Sequence, residues 1–203
     1  MLVYNTGRLV CLDTRTNEIK WQQDDLVGEL GTDKQGIFTL FVDRDNDIWM
    51  YSPLGIWVYN PEQEKWLSWL TNIIKRRSHN MVRAVSQDKQ GRIWIGTDQD
   101  GIDILDKKTG EVRQLRNKTG DERSLQNNTV MVLYEDSSET MWVGTYKKGI
   151  SYFNECAFKF GAEYIGDISC IEEDKEGYVW LGTNDVGIIS VSYTHLTLPT
   201  NRE

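Results

Sequence analysis

The chain has 203 residues, 39% hydrophobic and 27% charged, with eight tryptophans, a composition far from the weakly apolar, highly charged corner where no core can form, so the chain should fold. Its 31 acidic and 23 basic residues leave a net charge of −8, the wrong sign for a surface that neutralises phosphates, and nucleic acid is excluded as an expected partner.

Cys11, Cys156 and Cys170 are odd in number, lack CxxC spacing and have no clustered histidines, so they predict neither a disulfide framework nor a zinc site and read as small core residues. No run approaches the roughly 20 apolar residues of a membrane span. Met1 to Val10 lacks the basic start and apolar run of a signal peptide. For an exported protein, that lack would place the true N-terminus outside this chain.

In chain order, the stretch LVYNTGRLVCLDTRTNEIKW (Leu2 to Trp21) reads as the latter half of a unit that then recurs, with Arg8 where later copies carry glycine. The recurrence is anchored on Trp49, Trp94, Trp142 and Trp180, spaced by 45, 48 and 38 residues, a period that signals a solenoid or propeller. An aspartate stands six residues before each (Asp43, Asp88, Asp136, Asp174), with aliphatics nine and twelve before. Gly-Thr follows at Gly96 Thr97, Gly144 Thr145 and Gly182 Thr183, then Gly101 Ile102, Gly149 Ile150 and Gly187 Ile188. The first copy departs, with Ser52 Pro53 and an early Gly55 Ile56.

Each segment is a short β-branched and aromatic run bounded by Asp, Asn, Gly and Lys, which is strand and turn chemistry. In the second copy the strands are predicted at Val82 to Ser86, Arg92 to Gly96, Ile102 to Leu105 and around Val112 to Leu115. No helical period is expected. Four antiparallel strands per period make a propeller blade, so the fold expected is all-β: a β-propeller fragment of about four four-stranded blades plus a partial N-terminal one. The expected divisions are a partial blade at 1–34, blades at 35–77, 78–123 and 124–162, a partial blade at 163–190, and a foreign tail at 191–203.

At DKQGRIWIGTDQDGIDILDKKTGEV, EDSSETMWVGTYKKGISYFN and EDKEGYVWLGTNDVGI the chain resembles the two-component regulator propeller repeat, and SLQNNTV is similar to that family's lead-in. The resemblance implies an extracytoplasmic, periplasmic sensor region of a membrane-spanning hybrid histidine kinase, a class of which many members detect polysaccharide breakdown products. It implies that the parent chain carries the rest of the propeller and the kinase, with a homodimer of that parent among the expected partners. The segment GRLVCLDTRTNEIKW also resembles a repeat of quinone-cofactor dehydrogenase and assembly-factor propellers, which leaves an enzyme or protein-binding scaffold as the alternative. The GH and WD marks of WD repeats are missing.

The repeated tryptophans, with Asp43, Asp88, Asp136, Asp174, Gly101, Gly149 and Gly187, read as structural, because a residue recurring in every blade is most simply core. Trp57, Trp66, Trp69, Tyr51 and Tyr146 are the alternative candidates for sugar stacking, although packing is favoured for them too. The acids of DRDND (Asp43, Asp45, Asp47) begin like a calcium loop, but Ile48 and Leu54 occupy the slots that need glycine and a bidentate glutamate, so a plain turn is expected and no metal. His79 reads as a loop residue, and Lys75, Arg76 and Arg77 as a solvated loop. No catalytic constellation and no cofactor is expected.

Ligands favour loops held by a rigid scaffold. The expected ligand-binding residues are therefore those of the B-to-C turns, namely Asp98, Gln99, Asp100, Tyr146, Lys147, Asn184 and Asp185. The connections Thr71 to Asn80 and Asn117 to Asn128 join them, and their amides, acids and bases can hydrogen-bond an oligosaccharide or another small molecule. From Val191 onward the blade pattern fails, with Ser192 in the acidic slot, and VSYTHLTLPT resembles the in-frame translation of a transposon-based sequencing adapter. His195, Tyr193 and Thr194 accordingly receive no role.

Overall fold

The computed structural model describes residues 1–24, 37–53, 55–77, 81–121, 123–154, 159–163 and 165–191. They fall into two compact units, Met1–Arg77 and Ser78–Glu203.

In the first unit, β1 (Leu2–Val3), β2 (Leu9–Leu12) and β3 (Ile19–Gln23) form a three-stranded antiparallel meander. Strands β4 (Thr39–Val42), β5 (Ile48–Ser52), β6 (Gly55–Asn60) and β7 (Lys65–Trp66) form a four-stranded one. The two sheets share a core of Leu9, Phe38, Ile48, Met50, Trp57 and Tyr59, in which Tyr59 lies 5.5 Å from Trp21 and 5.1 Å from Trp66.

A helix, α1 (Ser68–Arg77), follows, contrary to the expectation of none. Its apolar residues do follow a helical period: Leu67 just ahead of it, then Leu70 and Ile74 four apart, are all buried. The Lys75, Arg76, Arg77 run lies in its last turn and not in a loop, which sets the Lys75 cation near the partial negative charge of the helix C-terminus. The Lys75 ammonium stands 5.7 Å over the Trp57 ring.

In the second unit, β8 (Val82–Gln87), β9 (Ile93–Thr97), β10 (Ile102–Leu105) and β11 (Val112–Leu115) make one four-stranded sheet. Strands β12 (Val130–Glu135), β13 (Met141–Thr145), β14 (Gly149–Asn154) and β15 (Lys159–Glu163) make another. Strands β16 (Ile168–Glu173), β17 (Val179–Thr183) and β18 (Ile188–Val191) make a three-stranded sheet. Every pairing is antiparallel between strands adjacent in sequence, which is the blade of a propeller. Glu163 pairs with Ile150, so the third full blade runs one residue past the expected 162. Val191 still pairs with Val179, and the remainder of the tail, like His79, Asn80 and Cys156, lies outside the described residues.

The aspartate six residues before each tryptophan is explained by the first hairpin of each blade. Its second carboxylate oxygen accepts the indole N–H of Trp49 (2.8 Å), Trp94 (2.8 Å), Trp142 (2.5 Å) or Trp180 (2.7 Å). Its other oxygen accepts the backbone N–H four residues on, from Asp47, Arg92, Thr140 or Tyr178. The residue three on has positive φ (Asn46 62°, Gly91 86°, Glu139 63°, Gly177 86°), the left-handed bulge of a three-residue hairpin loop. One carboxylate thus closes the turn and ties it to the core. This also accounts for DRDND. Asp43, Asp45 and Asp47 lie within 4.8 Å of one another, but the Asp43 oxygens are engaged by Asp45 N, Asp47 N and the Trp49 indole, as at copies that carry no acid triplet.

Blade packs on blade through the tryptophan side and the Gly-Thr strand. Trp94 joins Val130, Leu133, Met141 and Phe153 of the following blade in one core, and Trp142 joins Ile168, Ile171, Val179 and Leu181 of the next. A Cβ on Gly96 would stand 2.6 Å from Val130 Cγ1, and one on Gly144 2.9 Å from Ile168 Cγ2, so these glycines admit the first residue of the neighbouring blade's inner strand. Trp49, Trp94 and Trp142 are at most 1% exposed, whereas Trp180 is 42% exposed. Cys170, read as core from the sequence, is exposed on the same last sheet, where no described element covers its face.

Candidate ligand-binding face

The B-to-C turns are built by the repeated threonine and glycine. The Oγ1 of Thr97, Thr145 and Thr183 donates to the carbonyl of Gly101 (2.9 Å), Gly149 (3.0 Å) and Gly187 (2.8 Å). Those glycines have φ of 78°, 70° and 94°, a left-handed conformation that costs glycine nothing. At Gly101 a Cβ would also fall 2.2 Å from the Leu115 carbonyl oxygen.

Each turn is then stitched to a lead-in segment ahead of an inner strand. The N–H groups of Asp98, Tyr146 and Asn184 donate to the carbonyls of Met81 (2.9 Å), Thr129 (2.9 Å) and Asp167 (3.0 Å), the residues just ahead of β8, β12 and β16. Stitches also cross to the following blade. Thr129 Oγ1 donates to Asp98 Oδ1 at 3.2 Å, Gly101 N to Asn128 O at 2.8 Å, and Lys147 N to Asp167 Oδ1 at 3.4 Å.

All seven sequence-predicted residues therefore stand on this turn-and-lead-in edge, six of them in two groups and Asp100 paired with Arg116. Asp98, Gln99 and Tyr146 surround the Asn127 to Thr129 segment, with Asn127 Nδ2 donating to the Tyr146 carbonyl at 2.8 Å. Lys147, Asn184 and Asp185 gather around Asp167, whose N–H donates to Asp185 Oδ1 at 3.2 Å and whose Oδ2 accepts from Asn184 at 3.4 Å. Several of the charges are engaged in the fold. Arg83 pairs with Asp98 at 2.7 Å and Arg116 with Asp100 at 2.7 Å, while Lys147 lies 5.0 Å over the Tyr146 ring. Hydrogen bonding to the Tyr146 hydroxyl raises the Lys147 ammonium above its ordinary 10.5.

The concavity here is formed by Gln99 and the connection Asn117 to Asn128, both singled out from the sequence, together with Thr129. Gln99, Asn117, Gln126, Asn127, Asn128 and Thr129 line a depression of about 340 Å³, and the signal was present in the amide-rich lead-in SLQNNTV. On the opposite edge of the same blades, Arg92, Glu135, Glu139 and Asn154 line a second hollow of about 250 Å³ over Trp94 and Phe153. Of the aromatics weighed as stacking platforms, Trp57 and Tyr51 are buried, while Trp69 and Tyr146 are exposed.

The profile of the two component regulator propeller family matches residues 77–99, 124–147 and 165–185. No curated protein matches the chain in sequence. Among solved structures, the extracellular domain of a B. thetaiotaomicron protein titled as a hybrid two component system aligns at TM-score 0.63 and 21% identity, over 91% of this chain and 26% of that one. A second such domain from B. thetaiotaomicron aligns at 0.54 and 18%, over 76% and 24%. Virginiamycin B lyase from Staphylococcus aureus aligns at 0.61 and 12%, over 94% and 68%, which shows that the same fold also carries an enzyme. The chain spans about a quarter of the length of the two extracellular domains. The three profile matches fall on the Asp–Trp hairpins of the second to fourth tryptophan repeats, so these repeats are similar to those of the two component regulator propeller family.

Proposed function

We propose that this chain is the ligand-sensing part of a periplasmic propeller in a hybrid two component system, and that its ligand is an oligosaccharide. The observation that carries the reading is the turn-and-lead-in edge. It repeats from blade to blade, is held rigidly by backbone bonds on both sides, and presents amides, hydroxyls and acids around a concavity of about 340 Å³. Such groups exchange hydrogen bonds with a polyhydroxylated ligand as both donors and acceptors. The chain's part in signalling is binding, and phosphotransfer belongs to a kinase elsewhere in the parent protein. The full-length protein should respond in calorimetry or thermal shift to members of a broad glycan panel. A response to another ligand class, with none to glycans, would remove the carbohydrate part of the reading.

A further inference from the structure

The depression beside Gln99 is lined wholly by uncharged side chains. Four of the charges at its edge pair with one another, Arg83 with Asp98 and Arg116 with Asp100, each at 2.7 Å. Some of the lining amides hold the loop together. Asn127 donates through Nδ2 to the Tyr146 carbonyl and accepts at Oδ1 from Thr129 N. Asn117 donates through Nδ2 to the Leu125 carbonyl at 2.7 Å, and Asn128 accepts at Oδ1 from Asn117 N at 2.7 Å. What is left over faces a ligand: the Asn117 carbonyl oxygen, the Asn128 amide nitrogen, and the complete side-chain amides of Gln99 and Gln126, which have no partner among the described residues.

Building on the sensor reading above, we infer that this depression takes an uncharged saccharide of one or two rings, through Gln99, Asn117, Gln126 and Asn128, and discriminates against uronates and sulfated sugars of the same size. Its volume sits at the lower end of the roughly 300–1,000 Å³ typical of small-molecule sites. Free amide donors and acceptors match hydroxyls in both directions. A carboxylate or sulfate entering the same space would lose water with no cation among the lining side chains to receive it.

The test is calorimetry on the full-length protein with cellobiose, lactose and mannobiose against digalacturonate and a sulfated disaccharide. It is repeated on the double variant Gln99→Ala/Gln126→Ala, whose melting temperature should match the parent because those side chains brace nothing. Binding of a neutral disaccharide, weakened on the order of tenfold in the double variant, is the expected result. A preference for the anionic sugars, or saccharide binding unchanged in the double variant, would overturn this inference while leaving the sensor reading in place. Absence of binding to every saccharide, with a response to some other ligand class, would overturn both.

Discussion

A carboxylate that accepts an indole N–H and a turn N–H inside an apolar blade holds two donors that would otherwise be buried without partners. At Asp88 it holds a third, since Arg92 Nε donates to Oδ2 at 2.6 Å. Asp88→Ala should therefore destabilise the second unit by about 2–4 kcal/mol, the cost of leaving two buried donors unmatched, and Asp174→Ala by clearly less because Trp180 is exposed. Urea denaturation of both variants would show this ordering, and equal losses would contradict it. The same bonding pattern titrates differently according to its cover. Burial raises the Asp136 carboxyl above 3.8 despite its three donors, whereas the bond from the Trp180 indole, then its backbone bonds, lower the solvent-exposed Asp174 below 3.8. Asp136 consequently contributes stability that is present at low pH and is lost as the pH rises through its folded value. Asp174 contributes stability that is present above 3.8 and is lost as the pH falls through its folded value. A carboxyl ¹³C titration should give midpoints on opposite sides of the ordinary value.

Between elements, packing turns on the space above a glycine. Gly96→Ala would drive a methyl against Val130 of the neighbouring blade and should cost about 1–3 kcal/mol. Combining it with Val130→Ala should cost less than the sum of the two single changes by at least about 0.5 kcal/mol, the coupling of residues in contact. An additive double-mutant cycle would show that the blades do not meet there. Such contacts mark the limit of what can be read along the chain. Strands β8 to β11 were legible because β-branched runs alternate with Asp and Gly turns, and their ends moved by a residue at most. The helix was missed because its period, Leu67, Leu70, Ile74, is short and runs into the polar, basic stretch Thr71 to Asn80 that reads as a connection. The six-residue Asp–Trp spacing was visible, yet its meaning depends on a hairpin register that brings indole to carboxylate. The turn-tip residues could be placed together on one edge from the repeat, but the concavity behind them forms only where the lead-in of one blade meets the turn of another. No local spacing encodes that meeting.

Across the whole molecule, the last described sheet leaves several apolar residues in water: Ile188 is 77% exposed and Trp180 42%, with Tyr178 and Val186 beside them. Uncovered end repeats of this kind favour association. Size-exclusion chromatography of the chain alone should show concentration-dependent oligomers, and a single sharp monomer peak at all loadings would argue that the face is covered by other means. The contrast between Trp180 and its three buried counterparts gives the fold a built-in optical gauge. Acrylamide should quench Trp180, along with the similarly exposed Trp69, and leave Trp49, Trp94 and Trp142 untouched, so the Trp180 share is read as the difference between the parent and Trp180→Phe. Extending the chain by a further repeat that docks on β16 to β18 should shift the Trp180 share of the emission to the blue and remove its quenching, so the docking of a neighbour on this sheet could be followed by that difference signal.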